Sequence, residues 1–336
     1  MKKVFIPINT KIPVERQFPN RVPIWGNYEF IISTKEPEQE YDYVVVLDDI
    51  EYSLRLMCCK QNICLFTGEP PYVKLYPRKY LNQFGHVYTC QSSVLKRDNA
   101  CLSYPALPWM LYYNFYNDKQ KEELLIDYDF LKNRPTLQRK NKICLFTSNK
   151  KISKGHIERI KFALKLQEEM PDLIDIYGSG FTNVDYKYEV MVQYKYAIVI
   201  ENCSYPYYWT EKLADTFLSG CYPIYFGDPH IGDFFSKEEM AVIDIRNFDE
   251  SKQTIKKIID NNVYEKQYEN ICHARDKILD KYNMFSLISS TLDSIPAKLD
   301  KEKLLLSPMR LSVFDRIRNR IYLSLIHISE PTRQAE

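Results

Sequence analysis

Short apolar runs, rich in β-branched residues and bounded by polar or glycine-containing turns, recur along this chain. Runs of this length and composition are typical of strands that are buried on both faces of a sheet. We predict such strands at residues 43–47, 63–67, 143–147, 175–177, 197–200, 222–226 and 242–245. Several neighbouring strands are far enough apart in sequence for a helix to lie between them.

Apolar residues at helical spacing fill two of these intervals. Residues 157–170 carry apolar side chains every three or four positions, and Pro171 ends the pattern, which predicts a helix. A second helix is predicted over residues 210–218, where Thr210 can cap the N-terminus and Gly220 follows the C-terminus. Strands that alternate with helices in this way indicate the α/β class with parallel sheets.

The length of the chain, 336 residues, fits two domains at roughly 150 residues each. The pentapeptide ICLFT occurs at 63–67 and again at 143–147, and either an internal repeat or chance explains it, because so short a match is weak. A basic, proline-containing stretch at 132–142 is the predicted linker. We therefore place the two domains at residues 1–140 and 141–295.

The C-terminal part is predicted separately. Residues 296–322 are expected to form a helical segment, because arginines and apolar residues alternate over 308–322 as in a basic amphipathic helix. Such a helix either contacts an anionic membrane or packs across the first domain with its basic face in solvent. Residues 323–336 continue no pattern, and we interpret them as a tail that can be non-native and leave them out of the fold prediction.

The charge and cysteine content of the chain indicate which ligands and which cellular compartment are compatible with it. The 46 Lys and Arg residues against 44 Asp and Glu residues give a net charge of +2, so any anion site must be local rather than a nucleic-acid footprint. The nine cysteines form no C-x-x-C pair, which favours a reducing compartment. The N-terminal apolar run is broken by Pro7 and Pro13, and no apolar stretch is long enough to span a bilayer. We expect a cytoplasmic protein, with the basic segment as a candidate for peripheral contact with the inner face of the membrane.

The stretch 194–233 carries the most informative chemistry. A buried strand ends at Glu201 and Asn202, an aromatic loop follows, and a helix then begins with Glu211 and Lys212. Ligands of parallel α/β sheets bind outside the carboxyl ends of strands, where a helix N-terminus favours phosphate. Lys212 opposes the helix dipole unless it faces an anion such as a diphosphate, and Glu211 can accept ribose hydroxyls. The residues alone also allow a surface Glu–Lys pair on a capped helix.

The motif I-E-N-x-x-x-x-x-Y-W-T-E-K-L, followed by P-I-Y-F-G, resembles the donor-binding signature of the α1,3-fucosyltransferases of glycosyltransferase family 10. The residues that match this signature are Glu201, Asn202, Tyr208, Thr210, Glu211 and Lys212. Residues 145–162 resemble the family's loop and helix with a diphosphate-binding arginine, here Arg159. Residues 66–71 and 105–113 resemble the first-domain block with the family's proposed catalytic carboxylate, here Glu69.

This resemblance implies a GT-B architecture, in which two Rossmann-like domains face each other across a cleft. The first domain would bind the acceptor and the second GDP-fucose, and L-fucose would be transferred with inversion, often to the 3-OH of GlcNAc in a Gal-GlcNAc glycan. By the same resemblance Glu69 is the base, Arg159 and Lys212 neutralise the leaving diphosphate, and the other donor-binding residues are Asn202, Tyr208 and Glu211. For a bacterial enzyme the acceptor would be a lipopolysaccharide, capsular or other oligosaccharide chain.

No metal cofactor is expected, although a divalent cation could stimulate transfer. The only D-x-D, at Asp127–Asp129, lies outside the matched blocks in an acidic run, which favours a solvated charge run over a cation site. The histidines lack the H-x-x-x-H spacing of a helical metal site and are interpreted as surface or core residues; they include His86, His156, His230 and His273. Two alternatives stay open, namely a related enzyme that uses another nucleotide sugar and a non-catalytic nucleotide-sugar-binding protein.

Overall fold

A computed structural model describes residues 1–8, 12–35, 39–113, 126–133, 137–150, 154–296 and 300–311 of the chain. These residues form two compact units. The first unit draws on residues 1–8, 27–105 and 293–311, and the second draws on residues 12–26 and 106–292. Each unit has its own parallel sheet and its own hydrophobic core.

The strands are β1 (Lys2–Pro7), β2 (Ile24–Trp25), β3 (Tyr28–Ser33), β4 (Tyr43–Leu47), β5 (Leu54–Cys58), β6 (Ile63–Phe66), β7 (His86–Thr89), β8 (Ala100–Leu102), β9 (Lys140–Phe146), β10 (Ile174–Tyr177), β11 (Tyr194–Ile200), β12 (Tyr222–Phe226), β13 (Ala241–Val242) and β14 (Glu302–Leu306). The helices are α1 (Arg78–Leu81), α2 (Tyr128–Asn133), α3 (Lys154–Glu169), α4 (Lys187–Met191), α5 (Glu211–Ser219), α6 (Phe248–Asp260), α7 (Val263–Lys266), α8 (Tyr268–Asp280) and α9 (Met284–Asp293). No helix in these ranges combines the length with the apolar character that a bilayer crossing needs.

In the sheet of the first unit the strands run in the order β3-β1-β4-β6-β7-β8, and each neighbouring pair is parallel. The side chains of Val44, Val46, Leu65 and Val87 are completely buried in its core. Strands that are covered on both faces appear in the sequence as unbroken apolar runs, which is why β4 and β6 could be predicted.

In the sheet of the second unit the strands run in the order β10-β9-β11-β12-β13, and all of them are parallel. The helices α3, α4 and α5 connect the successive strands from β9 to β12. Ile143, Leu145 and Ile198 of the sheet share one core with Phe162 and Leu166 of α3. The strand order reverses at β9, because β10 and β11 lie on opposite sides of it.

The predicted α/β class is confirmed, and both units have the parallel-sheet content of the Rossmann-like domains that a GT-B architecture requires. The second predicted helix is α5. Thr210 caps it by accepting a hydrogen bond from the Lys212 amide, and Gly220 ends it in the left-handed conformation at φ 70°. The predicted strand at 242–245 is shorter than expected, because β13 ends at Val242.

The boundary between the units differs from the one predicted near residue 140. Residues 106–113 belong to the second unit, because the amide of Met110 donates a hydrogen bond of 2.9 Å to the carboxylate of Asp215. The side-chain amide of Gln17 donates to the Tyr112 hydroxyl at 2.9 Å, which ties the segment around Gln17 to the same unit. The block that was assigned to the first domain by resemblance is therefore divided between the two units.

Two further predictions about the chain's organisation need correction. The predicted linker at 132–142 contains the end of α2 and the start of β9. The predicted helical segment at 296–322 contains a strand instead, because β14 pairs with β5 in an antiparallel ladder. Residues 312–322 of that segment and the tail at 323–336 lie outside the described residues.

Candidate functional site

The predicted donor-binding residues lie where the strand order of the second sheet reverses. Helix α3 follows the carboxyl end of β9, and Glu201 directly follows the carboxyl end of the adjacent strand β11. Ligands of open α/β sheets bind outside such a switch point. The topology therefore brings Arg159 of α3 and Lys212 of α5 to the same edge of the sheet.

Glu201 is only 1% exposed, and its carboxylate contacts both Thr210 and Lys212 at this edge of the sheet. Its Oε1 accepts hydrogen bonds from the amide and the hydroxyl of Thr210, each at 2.9 Å, and its Oε2 lies 3.0 Å from Lys212 Nζ. A buried carboxylate needs such partners, because leaving it unpaired costs several kcal/mol of desolvation. Sequence reasoning matched Glu201 to the family motif but gave it no role. Its place at the end of an apolar strand was the available signal.

Lys212 lies in the first turn of α5. Its Nζ is 2.8 Å from Thr210 Oγ1 and 3.4 Å from Glu211 Oε1, in addition to its contact with Glu201. Burial by itself lowers the pKa of Lys212, but the carboxylates of Glu201 and Glu211 outweigh it and raise that pKa above the ordinary value. The lysine therefore stays charged at a helix N-terminus, where a cation would otherwise be unfavourable.

Arg159 is 4% exposed, and its Nη1 donates a hydrogen bond of 2.9 Å to Asn202 Oδ1. Its buried Nε has no hydrogen-bond partner among the described residues. Burial lowers the pKa of Arg159, while Glu201 and Tyr208 act in the opposite direction. A buried guanidinium with an unused N–H group is suited to hold an anion such as a phosphate.

Two more side chains belong to this site. Tyr208, a predicted donor-binding residue, is 1% exposed and interacts electrostatically with Arg159. His156 is half-buried, and its pKa is lowered first by burial and then by the charges of Arg159 and Lys212. Sequence reasoning interpreted His156 as a surface or core residue, although its position one turn before Arg159 was a usable signal. We refer to Arg159, Lys212 and His156 as the basic cluster.

Gly155 allows α3 to approach the end of β11. A Cβ atom at this position would lie 2.0 Å from the carbonyl oxygen of Asn202, so the two backbones would have to separate. We expect Gly155→Ala to destabilise the protein by about 2 kcal/mol and to weaken the binding of GDP, the donor nucleotide that the resemblance implies. Thermal unfolding and GDP titration test this. Gly232→Ala is the control, because no described atom lies within 4 Å of a Cβ there, and an equal loss in both variants would contradict the prediction.

Glu69, the predicted base, lies in the first unit on the loop after β6 and is half-buried. Its amide donates to the Tyr76 hydroxyl at 3.3 Å, and its carbonyl accepts from Gln91 Nε2 at 2.8 Å. The carboxyl end of a parallel strand is the predicted location for this residue. The structure thus places the predicted base on a well-anchored loop of the first unit and the predicted donor-binding residues in the second.

Both aspartates of the D-x-D motif accept hydrogen bonds from a segment earlier in the chain. Asp127 accepts a hydrogen bond from Arg21 Nε at 2.8 Å, and Asp129 accepts one from the Asn20 amide at 2.6 Å. The two carboxylates are therefore paired with residues 20 and 21 of the same unit rather than fully solvated as predicted. In the part of the chain that the structure describes, no three His, Cys, Asp or Glu residues group as metal ligands would.

The solved structures that this chain resembles include α1,3-fucosyltransferases. One crystal structure of an α1,3-fucosyltransferase is 19% identical to this chain, covers 80% of each chain and has a TM-score of 0.49. A crystal structure of an α1,3-fucosyltransferase with GDP-fucose is also 19% identical, covers 83% of this chain and 90% of the other, and has a TM-score of 0.47.

Similar sequences are also fucosyltransferases. The α-(1,3)-fucosyltransferase FucT of Helicobacter pylori is 38% identical over 97 residues, which are 28% of this chain and 20% of the relative. The α-(1,3)-fucosyltransferase B of Drosophila melanogaster is 29% identical over 150 residues, which are 39% of this chain and 33% of the relative. The chain thus spans a fifth of one relative and a third of the other.

Residues 136–287 match the family model for the C-terminal domain of glycosyltransferase family 10 (fucosyltransferase). This range contains the basic cluster and the motif at 201–212, so the family match and the geometry of the site coincide. The resemblance predicted from the sequence is therefore confirmed over residues 136–287, which include the donor-binding motif.

Proposed function

We propose that this chain is an inverting fucosyltransferase, which transfers L-fucose from GDP-β-L-fucose to a GlcNAc 3-OH in a Gal-GlcNAc type glycan. The observation that carries the proposal is the basic cluster at the switch point of the second sheet, inside the family's matched domain. A diphosphate is anionic, and two cations that the fold already holds in place, the buried Arg159 and the half-buried Lys212, are well suited to bind it.

On the donor side, the bond between the anomeric carbon and the diphosphate oxygen breaks, and negative charge develops on GDP. Arg159 and Lys212 would stabilise this charge without rearrangement, because α3 and α5 fix their positions. Asn202 orients Arg159 through its 2.9 Å hydrogen bond. Glu211 is the proposed acceptor for the ribose hydroxyls, and the buried Tyr208 would line the pocket behind Arg159.

On the acceptor side, Glu69 is the proposed general base. It would take the proton of the acceptor hydroxyl while that oxygen bonds to the anomeric carbon on the face opposite the leaving diphosphate. A single displacement of this kind inverts the configuration at the anomeric carbon. We propose that the reaction needs no metal cofactor, because Arg159 and Lys212 of the basic cluster supply the positive charge that the diphosphate requires.

The first unit also has an open cleft beside the Glu69 loop, which we propose as the acceptor site. Its volume is about 880 Å³, and Tyr76 and Gln91, which contact the Glu69 main chain, form part of its wall. That size is within the range of small-molecule and sugar sites. Six further residues of its lining carry side-chain hydrogen-bond donors for a glycan, beside Leu75, Leu81, Val94 and Asp98; they are Arg78, Asn82, Ser93, Lys96, Arg97 and Asn99.

A mass-spectrometric assay with GDP-fucose and N-acetyllactosamine, run in EDTA and again with manganese, tests the proposed function. We expect a product heavier by one deoxyhexose in EDTA, which would support the donor, the reaction and the lack of a metal requirement together. Product only with manganese would refute the metal-free proposal. GDP binding without product would favour another nucleotide sugar, another acceptor or a non-catalytic binding protein, and absence of GDP binding would overturn the proposal.

A further inference from the structure

The loop that carries Glu69 has no regular secondary structure, so its backbone groups need hydrogen-bond partners from elsewhere. At Glu69 these partners are side chains. The Tyr76 hydroxyl accepts hydrogen bonds from the amides of Glu69 and Gly68, at 3.3 and 3.1 Å. Gln91 Nε2 donates to the Glu69 carbonyl at 2.8 Å. Both main-chain groups of the predicted base are therefore held by side chains that lie elsewhere in the first unit.

Asp48 orients the Tyr76 hydroxyl. The residue follows β4 and adopts the left-handed conformation, with φ 65°. Its Oδ1 accepts hydrogen bonds from the Tyr76 hydroxyl and, at 3.1 Å, from the Gly68 amide, while its Oδ2 forms an ion pair of 2.6 Å with Lys74 Nζ. Because Tyr76 donates its proton to Asp48, its oxygen lone pairs are left to accept from the loop amides.

The two side chains that contact Glu69 are themselves buried. Tyr76 is 5% exposed and Gln91 is 0% exposed. Burial, reinforced by Asp48, raises the pKa of Tyr76 well above the ordinary value, so its hydroxyl keeps the proton that it donates. Gln91 Nε2 also donates to the Lys74 carbonyl at 2.8 Å, so it ties the loop at two points. Groups packed in this way have few alternative rotamers and hold the loop in one conformation.

We propose that Tyr76 and Gln91, with Asp48 orienting Tyr76, are positioning residues that hold Glu69 where it can take the acceptor's proton. This inference rests on the proposed function, in which Glu69 is the base. A base acts only within hydrogen-bond reach of the proton that it removes, and a displacement of about 1 Å can cost on the order of 10²-fold in rate. Tyr76 and Gln91 bond to the main chain of the loop, and Asp48 bonds to Tyr76 and to the Gly68 amide, so their proposed effect on the reaction passes through the position of Glu69.

The test is Tyr76→Phe, which keeps the ring and removes the hydroxyl. We expect kcat to fall by about 10- to 100-fold, while the KM for GDP-fucose and the Kd for GDP stay within about twofold of the wild-type values. Asp48→Asn is the second variant and should lower kcat in the same way. Tyr43→Phe is the matched control, because it also removes a buried hydroxyl of the first unit, bonded to the Ile295 carbonyl at 3.0 Å, and it should keep the wild-type kcat.

A double-mutant cycle separates positioning from a general structural effect. If Tyr76 acts through Glu69, Tyr76→Phe should change the residual rate of a Glu69→Gln variant very little. Wild-type kcat in both Tyr76→Phe and Asp48→Asn, or the same fold-loss from Tyr76→Phe with and without Glu69, would overturn the inference. Failure of the proposed function would look different, because the wild-type protein itself would then transfer no fucose.

Discussion

Glu69→Gln is expected to reduce fucose transfer to a residual rate while GDP binding stays nearly intact. Glutamine has the size of glutamate but cannot accept the acceptor's proton, and loss of a general base lowers kcat by about 10²- to 10⁴-fold. Tyr76 and Gln91 bond to the amide and the carbonyl of Glu69, which Glu69→Gln keeps, so we expect the loop to keep its conformation. Steady-state kinetics give kcat, and calorimetric titration gives the Kd for GDP.

The control for this substitution is Glu302→Gln, which changes an exposed glutamate in β14 of the same unit. It should retain wild-type kinetics, because exposed carboxylates contribute little to stability. Wild-type turnover in Glu69→Gln would show that another group is the base. Parallel loss of turnover and of GDP binding would instead indicate that the substitution damages the fold.

The elements that the sequence predicted well are those whose signals are local. The run YVVVL is β4 to the residue, because a strand that is covered on both faces has no polar position to interrupt it. Helix α5 begins after Thr210 and ends at Gly220 as predicted, since each cap depends on a hydrogen bond or a backbone conformation within a few residues. The donor motif follows β11 as predicted, because the apolar run of that strand ends in the sequence at Glu201.

The features that the sequence did not predict depend on contacts between distant residues. The domain boundary was placed near residue 140 because the basic stretch at 132–142 resembles a linker. The sequence could not show that the Met110 amide bonds to Asp215, 105 residues away. The partner of β14 is β5, far earlier in the chain, so residues 302–306 were included in a predicted helical segment instead of being predicted as a strand. The role of Asp48 likewise required the structure, because its contact with Tyr76 arises only once the loops after β4 and β6 meet.

Lys212→Ala and Arg159→Ala are each expected to weaken GDP binding by about 10- to 100-fold. A hydrogen bond to a charged group contributes about 1.5–3 kcal/mol, and each 1.4 kcal/mol corresponds to about a factor of ten in affinity. Both side chains are held at the switch point before any ligand arrives, Arg159 by Asn202 and Lys212 by Glu201. Calorimetric titration with GDP measures the effect, and unchanged affinity in both variants would refute the donor-site assignment.

Lys212→Ala has a second consequence, because it leaves the buried Glu201 without its cation. Breaking a fully buried ion pair costs about 3–5 kcal/mol. We expect a loss of about 2 kcal/mol here, because the Lys212 side chain is 24% exposed and Thr210 still donates to the carboxylate. Adding Glu201→Gln should recover most of this stability, since the amide oxygen can still accept from Thr210, but it should not restore GDP affinity.

A second lysine in the same unit separates the two effects. Lys277 Nζ lies 2.8 Å from the buried carboxylate of Glu239, outside the donor motif. Lys277→Ala should therefore destabilise the protein to a similar extent and leave the Kd for GDP unchanged. If it weakened GDP binding as much as Lys212→Ala, the loss would reflect a less stable second unit. Selective loss in Lys212→Ala would mean that the same lysine neutralises Glu201 in the free protein and binds the diphosphate of the donor.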